Sequence, residues 1–164
     1  MLKKLKLVVL IGCGIFSANA QNNKPNSADR PKLVVGLVVD QMRWDYLYRY
    51  QNQFGEGGFK RMLSEGYSFN NVHINYVPTV TAIGHTSIYT GSVPSIHGIA
   101  GNNWTDKTTG KSVYCTADDT VKTVGSTSIR NGQQSPRNMW STSITDQLRL
   151  ATNFRSKVVG VSLK

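Results

Sequence analysis

The run Leu33-Val34-Val35-Gly36-Leu37-Val38-Val39, closed by Asp40, constrains this chain more than any other segment. It offers no polar face to solvent, so it reads as a central strand buried on both sides. Strands of that kind belong to parallel sheets, and such sheets need helices on both faces. Lys157 to Leu163, with Val158-Val159-Gly160-Val161, has the same character and reads as a second buried strand. The expected fold class is therefore α/β, a doubly wound, mostly parallel sheet. It is expected to be incomplete here, because the sequence stops on a core strand with no covering helix to follow.

Between the two apolar runs the chain alternates helical and extended signals. Arg43 to Tyr50 and Gly58 to Glu65 have helical spacing, with Phe59 and Leu63 on one face of the second and Gly66 as its stop. Tyr67 to Val77 reads as extended, and Thr81 to Tyr89 as a short helix entered after Pro78 and left at Gly91. Thr108-Thr109-Gly110 marks a hairpin within Asn103 to Thr116, and Val121 to Gln134 reads as a long polar loop. Ser135-Pro136 reads as the cap of a last helix reaching Ala151 or Asn153, with Ile144, Leu148 and Ala151 on its apolar face.

In doubly wound folds, ligands gather at the carboxyl ends of the strands, which brings Asp40, Thr81 and Lys164 toward one crevice. Asp40 is a hard oxygen donor suited to a divalent cation, or else a cap for the helix at Arg43. Thr81 opens a helix after an extended run, where backbone N–H groups and the helix dipole hold phosphoryl oxygens. A threonine hydroxyl is a weak nucleophile without a metal, and Thr79 competes with Thr81 for the role. Thr86 and Thr90 read as structural. His85 and His97 read as structural histidines rather than as a general base or zinc ligands, and His73 receives no role.

The N-terminus reads as an export leader: Lys3, Lys4 and Lys6, an apolar stretch from Leu7 to Phe16, and Ala18-Asn19-Ala20 as a cleavage site. Lipoprotein processing at Cys13 is the competing reading, and the stretch is too short for a membrane anchor. Periplasmic or secreted localisation follows. Residues 21–31 read as a flexible spacer, and 32–164 as one domain or the N-terminal part of one. With the leader removed, the formal charge of +10 falls to about +7. The basic residues are scattered, so no specific nucleic-acid partner is expected, and the positive field suits small anionic substrates. Only Cys115 survives cleavage, which excludes a disulfide within the mature chain and hints at a partner thiol elsewhere.

Val39-Asp40-Gln41-Met42-Arg43, Pro78-Thr79-Val80-Thr81 with Gly84-His85, Thr90-Gly91 with Pro94, His97-Gly98-Ile99, and Gly101-Asn102 together resemble the alkaline phosphatase superfamily. The resemblance is to its type I phosphodiesterase and nucleotide pyrophosphatase group, and most of all to flavobacterial periplasmic alkaline phosphatases with a threonine nucleophile. It implies that Thr81, rather than Thr79, is the nucleophile and a zinc ligand. Asp40 becomes a ligand of the same zinc, one of two Zn²⁺ in the intact site. Asn102 is implied to hydrogen-bond a non-bridging phosphoryl oxygen, and Lys164 to contact a dianionic phosphoryl group in the monoesterase manner. The implied activity is hydrolysis of small phosphate monoesters through a phosphothreonine. The remaining ligands are expected outside this chain, which alone is expected to be inactive. A phosphodiesterase or nucleotide pyrophosphatase is the alternative within the superfamily, and a basic exported anion-binding module without catalysis is the alternative outside it.

Overall fold

The computed structural model describes residues 31–162. The leader and Lys164 therefore lie outside the described residues. The chain falls into two compact units, Met1–Leu37 and Val38–Lys164. Among the described residues no helix is long and apolar enough to cross a membrane.

Neither apolar run forms a strand among the described residues, which departs from the expected pair of buried strands. Leu33, Val34, Val35 and Leu37 are exposed, as are Val159 and Val161. A parallel strand is stable only with hydrogen-bonded neighbours on its edges and helices on its faces. Among the described residues the single sheet is a two-stranded antiparallel one, and neither run is a strand of it.

The first helix, α1, spans Tyr46–Arg49 and continues as a 3₁₀ turn at Gln51–Gln53. It is shorter than the spacing predicts, and Asp45 is its N-cap. Asp45 also pairs with Arg43 at 3.0 Å and Arg49 at 3.1 Å. Asp40 is therefore not the cap of this helix. Helix α2, Phe59–Glu65, ends at Gly66 as its sequence implies. Phe59 packs its ring 5.1 Å from that of Phe54. Tyr67 to Val77 follows without ladder pairing, with Tyr67 and Phe69 exposed.

The core lies around helix α3, Thr81–Thr90, which leaves through Gly91 in the left-handed conformation. Thr86 and Thr90 turn their hydroxyls back onto the carbonyls of Ala82 and Thr86, so both are structural. A further short helix, α4, Pro94–His97, is absent from the sequence expectations. Its signals were present: Pro94 at the first helical position and Gly98 at φ +80° just past the end. Ile83, Ile99 and Cys115 are the buried apolar residues among those described. Cys115 is a free, buried cysteine among the described residues.

Strands β1, Asn103–Thr105, and β2, Ser112–Tyr114, form the expected hairpin, pairing Trp104 with Val113. Asp106 holds its turn by accepting from the Thr108 N–H at 2.7 Å, and Gly110 takes φ +68°. The polar loop after it is closed at its base, where Ala117 bridges Gln134. There the buried Asp118 carboxylate accepts from the Ser135 hydroxyl at 2.5 Å, the Thr120 hydroxyl at 2.6 Å and Arg137 at 3.0 Å. Ser135 donates to Asp118 and also accepts from the Arg137 N–H at 3.2 Å, so it opens a single turn over 136–139 and not the last helix. That helix, α5, is Ile144–Ala151 and starts at a capping box made by Ser143 and Asp146. Its apolar residues Ile144 and Leu148 are exposed rather than packed.

The Ser135 hydroxyl, with Thr120 and Arg137, holds Asp118 well below the usual carboxylate range. A folded carboxylate with a depressed pKa stabilises fully above its unfolded value of 3.8 and loses that contribution as pH falls below it. Amide exchange protection across residues 118–137, corrected for intrinsic rates, should therefore drop on acidification. Asp118→Asn should lower it already at neutral pH and flatten the acid response; protection unchanged by the substitution would contradict the staple.

Candidate active site

Two segments far apart in sequence meet at the start of α3. The chain turns sharply after Asp40, because Gln41 adopts φ +57°, a left-handed conformation that non-glycine residues seldom take. The Thr81 hydroxyl donates to Asp40 Oδ2 at 3.2 Å. Asp40 is exposed and Thr81 half-buried, so the pair opens to solvent. Thr79 is exposed and precedes the helix. Of the two competing threonines, Thr81 is therefore the one seen to meet Asp40.

The helix start is unusual in its capping. Val80 is the N-cap residue and contributes no side-chain hydrogen bond. An uncapped start leaves the first backbone N–H groups seeking acceptors. Asn102 supplies one from a distant loop: its Oδ1 accepts from the Ala82 N–H at 2.9 Å. The Asn102 main chain is itself held, since its carbonyl accepts from the Cys115 N–H at 2.9 Å. With Oδ1 committed to a donor, the carboxamide orientation is set and its NH₂ is the end left to donate elsewhere. This cap was not anticipated from sequence, because a capping residue is ordinarily sought next to its helix.

The three histidines behave differently. His85 Nδ1 lies 2.9 Å from the Thr81 carbonyl one turn back, a local backbone contact in which the ring nitrogen donates. His97 is fully buried. The Ile99 N–H donates to its Nδ1 at 3.1 Å, and its Nε2 lies 3.0 Å from Ser87 Oγ. Burial holds His97 below the ordinary imidazole pKa, so it is neutral. His73 is exposed, with Nε2 2.7 Å from Asn71 Oδ1. Each arrangement is a structural contact within the described residues.

Asp40, Thr81 and Asn102 are thus gathered at one helix end, while Lys164 lies outside the described residues. Asp40 and Thr81 put two hard oxygen donors side by side, the chemistry a divalent cation takes. Among the described residues no group of three or more His, Cys, Asp or Glu is placed to hold a metal. The arrangement offers an activatable hydroxyl, an anionic ligand and polarised N–H groups at a helix N-terminus, the elements of phosphoryl-group chemistry.

Comparison with known proteins agrees with that chemistry. The sequence profile of the type I phosphodiesterase / nucleotide pyrophosphatase family matches residues 34–162. The chain is 72% identical over 162 residues to alkaline phosphatase PafA of Elizabethkingia meningoseptica, covering 99% of this chain and 29% of PafA. It is 55% identical over 171 residues to alkaline phosphatase PhoV of Synechococcus elongatus, covering 98% of this chain and 31% of PhoV. The crystal structure of wild-type PafA superposes with a TM-score of 0.82 at 78% identity, covering 85% of this chain and 27% of that one. The chain thus spans under a third of the length of these relatives, and its fold class is α/β, as in the PafA structure. On the extent of the profile match and the identity to these relatives, the chain belongs to the type I phosphodiesterase / nucleotide pyrophosphatase family.

Proposed function

We propose that this chain contributes the nucleophile and one metal ligand of an exported, zinc-dependent phosphate monoesterase, an alkaline phosphatase working through a phosphothreonine. The observation that carries the reading is the 3.2 Å separation of Thr81 Oγ1 and Asp40 Oδ2. Two oxygens bound tetrahedrally at zinc–oxygen distances of about 2.0 Å stand about 3.3 Å apart. The pair is therefore spaced to share one cation without rearrangement. Asp40 and Thr81 would hold that ion, and the other ligands would come from the rest of a protein as long as its relatives. Zinc, when bound there, would supply the Lewis acidity that lets a threonine hydroxyl ionise near neutral pH.

Each group of the chain then has a defined task. Thr81 Oγ1 attacks phosphorus; the new Oγ1–P bond forms as the bond to the alcohol oxygen breaks. The hydroxyl proton leaves to solvent and the departing alkoxide gains one from solvent. Water cleaves the phosphothreonine in the second half, restoring the hydroxyl and releasing inorganic phosphate. Asn102, its oxygen engaged by the Ala82 N–H, directs its NH₂ donors to a non-bridging phosphoryl oxygen, where charge must be balanced throughout transfer. The positive end of α3 adds to the same field. Lys164 adds a cation, and a dianionic monoester gains more from it than a monoanionic diester does. That difference, with the similarity to two alkaline phosphatases, favours monoesters over the diesters in the family's name.

Three outcomes test the reading in the enzyme at its full length. Thr81→Ala and removal of metal by a chelator should each abolish turnover of an aryl phosphate, whereas phosphate binding that survives both with no turnover in the parent would indicate an anion-binding module. Asn102→Asp keeps an acceptor for the Ala82 N–H, so its denaturation midpoint should match the parent, while Asn102→Ala should lose about 1 kcal/mol. The aspartate nevertheless sets a negative charge against the phosphoryl group and should cost at least about tenfold in kcat/KM; parental activity would show that Asn102 serves the helix alone. Substitution of Lys164 by alanine should lower monoester hydrolysis more than diester hydrolysis, and equal losses would contradict the charge argument.

A further inference from the structure

One buried polar contact ties together the two elements that carry the site. His97 has no exposed surface and sits in the same core as Ile83 and Ile99. A polar ring in such surroundings is costly unless both nitrogens are satisfied. Both are. The Ile99 N–H donates to Nδ1, so in the neutral ring the proton resides on Nε2, which donates to Ser87 Oγ. Ser87 lies in the helix that begins with Thr81, and Ile99 lies on the short segment that delivers Asn102. Asn102 then returns to the same helix through the Ala82 N–H. The connections close a ring: Ala82, along α3 to Ser87, across the imidazole to Ile99, along the chain to Asn102, and back to Ala82.

The far side of this ring is braced. The His97 carbonyl accepts from the Trp140 N–H at 3.0 Å. Trp140 also lies flat against Gly98, where an added Cβ would come within 2.7 Å of its indole. A leucine in place of His97 would fill the space but bind neither Ser87 nor the Ile99 N–H. A protonated imidazole would present a donor to the Ile99 N–H, which is itself a donor.

We infer that His97 is a positioning residue for the Thr81–Asn102 pair, setting through Ser87 and Ile99 the distance and angle at which the carboxamide faces the nucleophile. The inference rests on the reading of the site proposed above. It goes beyond packing because the two contacts of one ring set the offset between a helix and the segment that caps it. Loosening either contact shifts Asn102 relative to Thr81, and misplacement of this kind acts on the transition state more than on substrate binding.

A double-mutant cycle tests it in the full-length, zinc-loaded enzyme with an aryl phosphate. Ser87→Ala removes one hydroxyl from the bridge, and His97→Asn keeps an acceptor for the Ile99 N–H while breaking the link to Ser87. Each should lower kcat about fivefold with little change in KM, and should cost less than about twofold when Asn102 is already alanine. Equal losses in the two backgrounds, after a clear defect from Asn102→Ala alone, would leave the site reading standing and overturn the positioning role. Full activity in Asn102→Ala alone would overturn the reading of the site and this inference with it. Should His97→Asn fail to fold, the Ser87→Ala cycle decides the matter alone.

Discussion

The contact between the Thr81 hydroxyl and the Asp40 carboxylate is the constraint on which the functional account depends. Neither group is chemically notable alone: one is a poor nucleophile and the other an exposed acid. Their value comes from being 3.2 Å apart although 41 positions separate them in the chain. Two local devices produce that meeting. The left-handed Gln41 turns the chain directly after Asp40, and the extended Val80 lets Thr81 start a helix with its first N–H groups facing outward. The same helix start then attracts an acceptor, which Asn102 provides. An acid, a hydroxyl and an amide are thereby assembled at one helix terminus.

The rest of the described structure maintains that terminus. Gly91 and Gly98 end α3 and α4 in conformations that cost other residues more, and Gly98 also admits the face of Trp140. The hairpin fixes the Asn102 main chain through the Cys115 N–H. Beyond it, Asp118 closes a long loop with side-chain bonds, so that the segment returning to Trp140 starts from a defined place. Few aliphatic residues are buried among those described, so this scheme is held by the polar contacts named above. The exposed valines and leucines of the two apolar runs are the complement of that observation.

What could be read from sequence followed the range of the interaction. The α3 boundaries, the hairpin turn, the Gly66 stop and the structural roles of Thr86 and Thr90 depend on residues within a few positions of one another, and local chemistry decided them. The last helix starts later than the Ser135-Pro136 signal implies: Ser135 accepts from the Arg137 N–H but opens only one turn, while the full capping box forms at Ser143. Helix α4 was overlooked although Pro94 and Gly98 marked its ends. The Asn102 cap and the His97 bridge join residues ten or more positions apart, where no periodicity links the partners. For the site, Asp40 and Thr81 were legible as residue types suited to metal and phosphate, while the preference for Thr81 over Thr79 came from family resemblance and agrees with the contact to Asp40.

The central claim is that a threonine oxygen beside Asp40 becomes the attacking group on phosphorus. The most direct measurement is acid quenching of the zinc-loaded, full-length enzyme during turnover of an aryl phosphate, followed by mass spectrometry of its peptides. The account predicts one added phosphoryl group on the peptide containing Thr81, located on that side chain by fragmentation and absent when the substrate is omitted. A phosphoryl group found on Thr79 or any other residue, or turnover under these conditions with no phosphorylated peptide at any quench time, would contradict it.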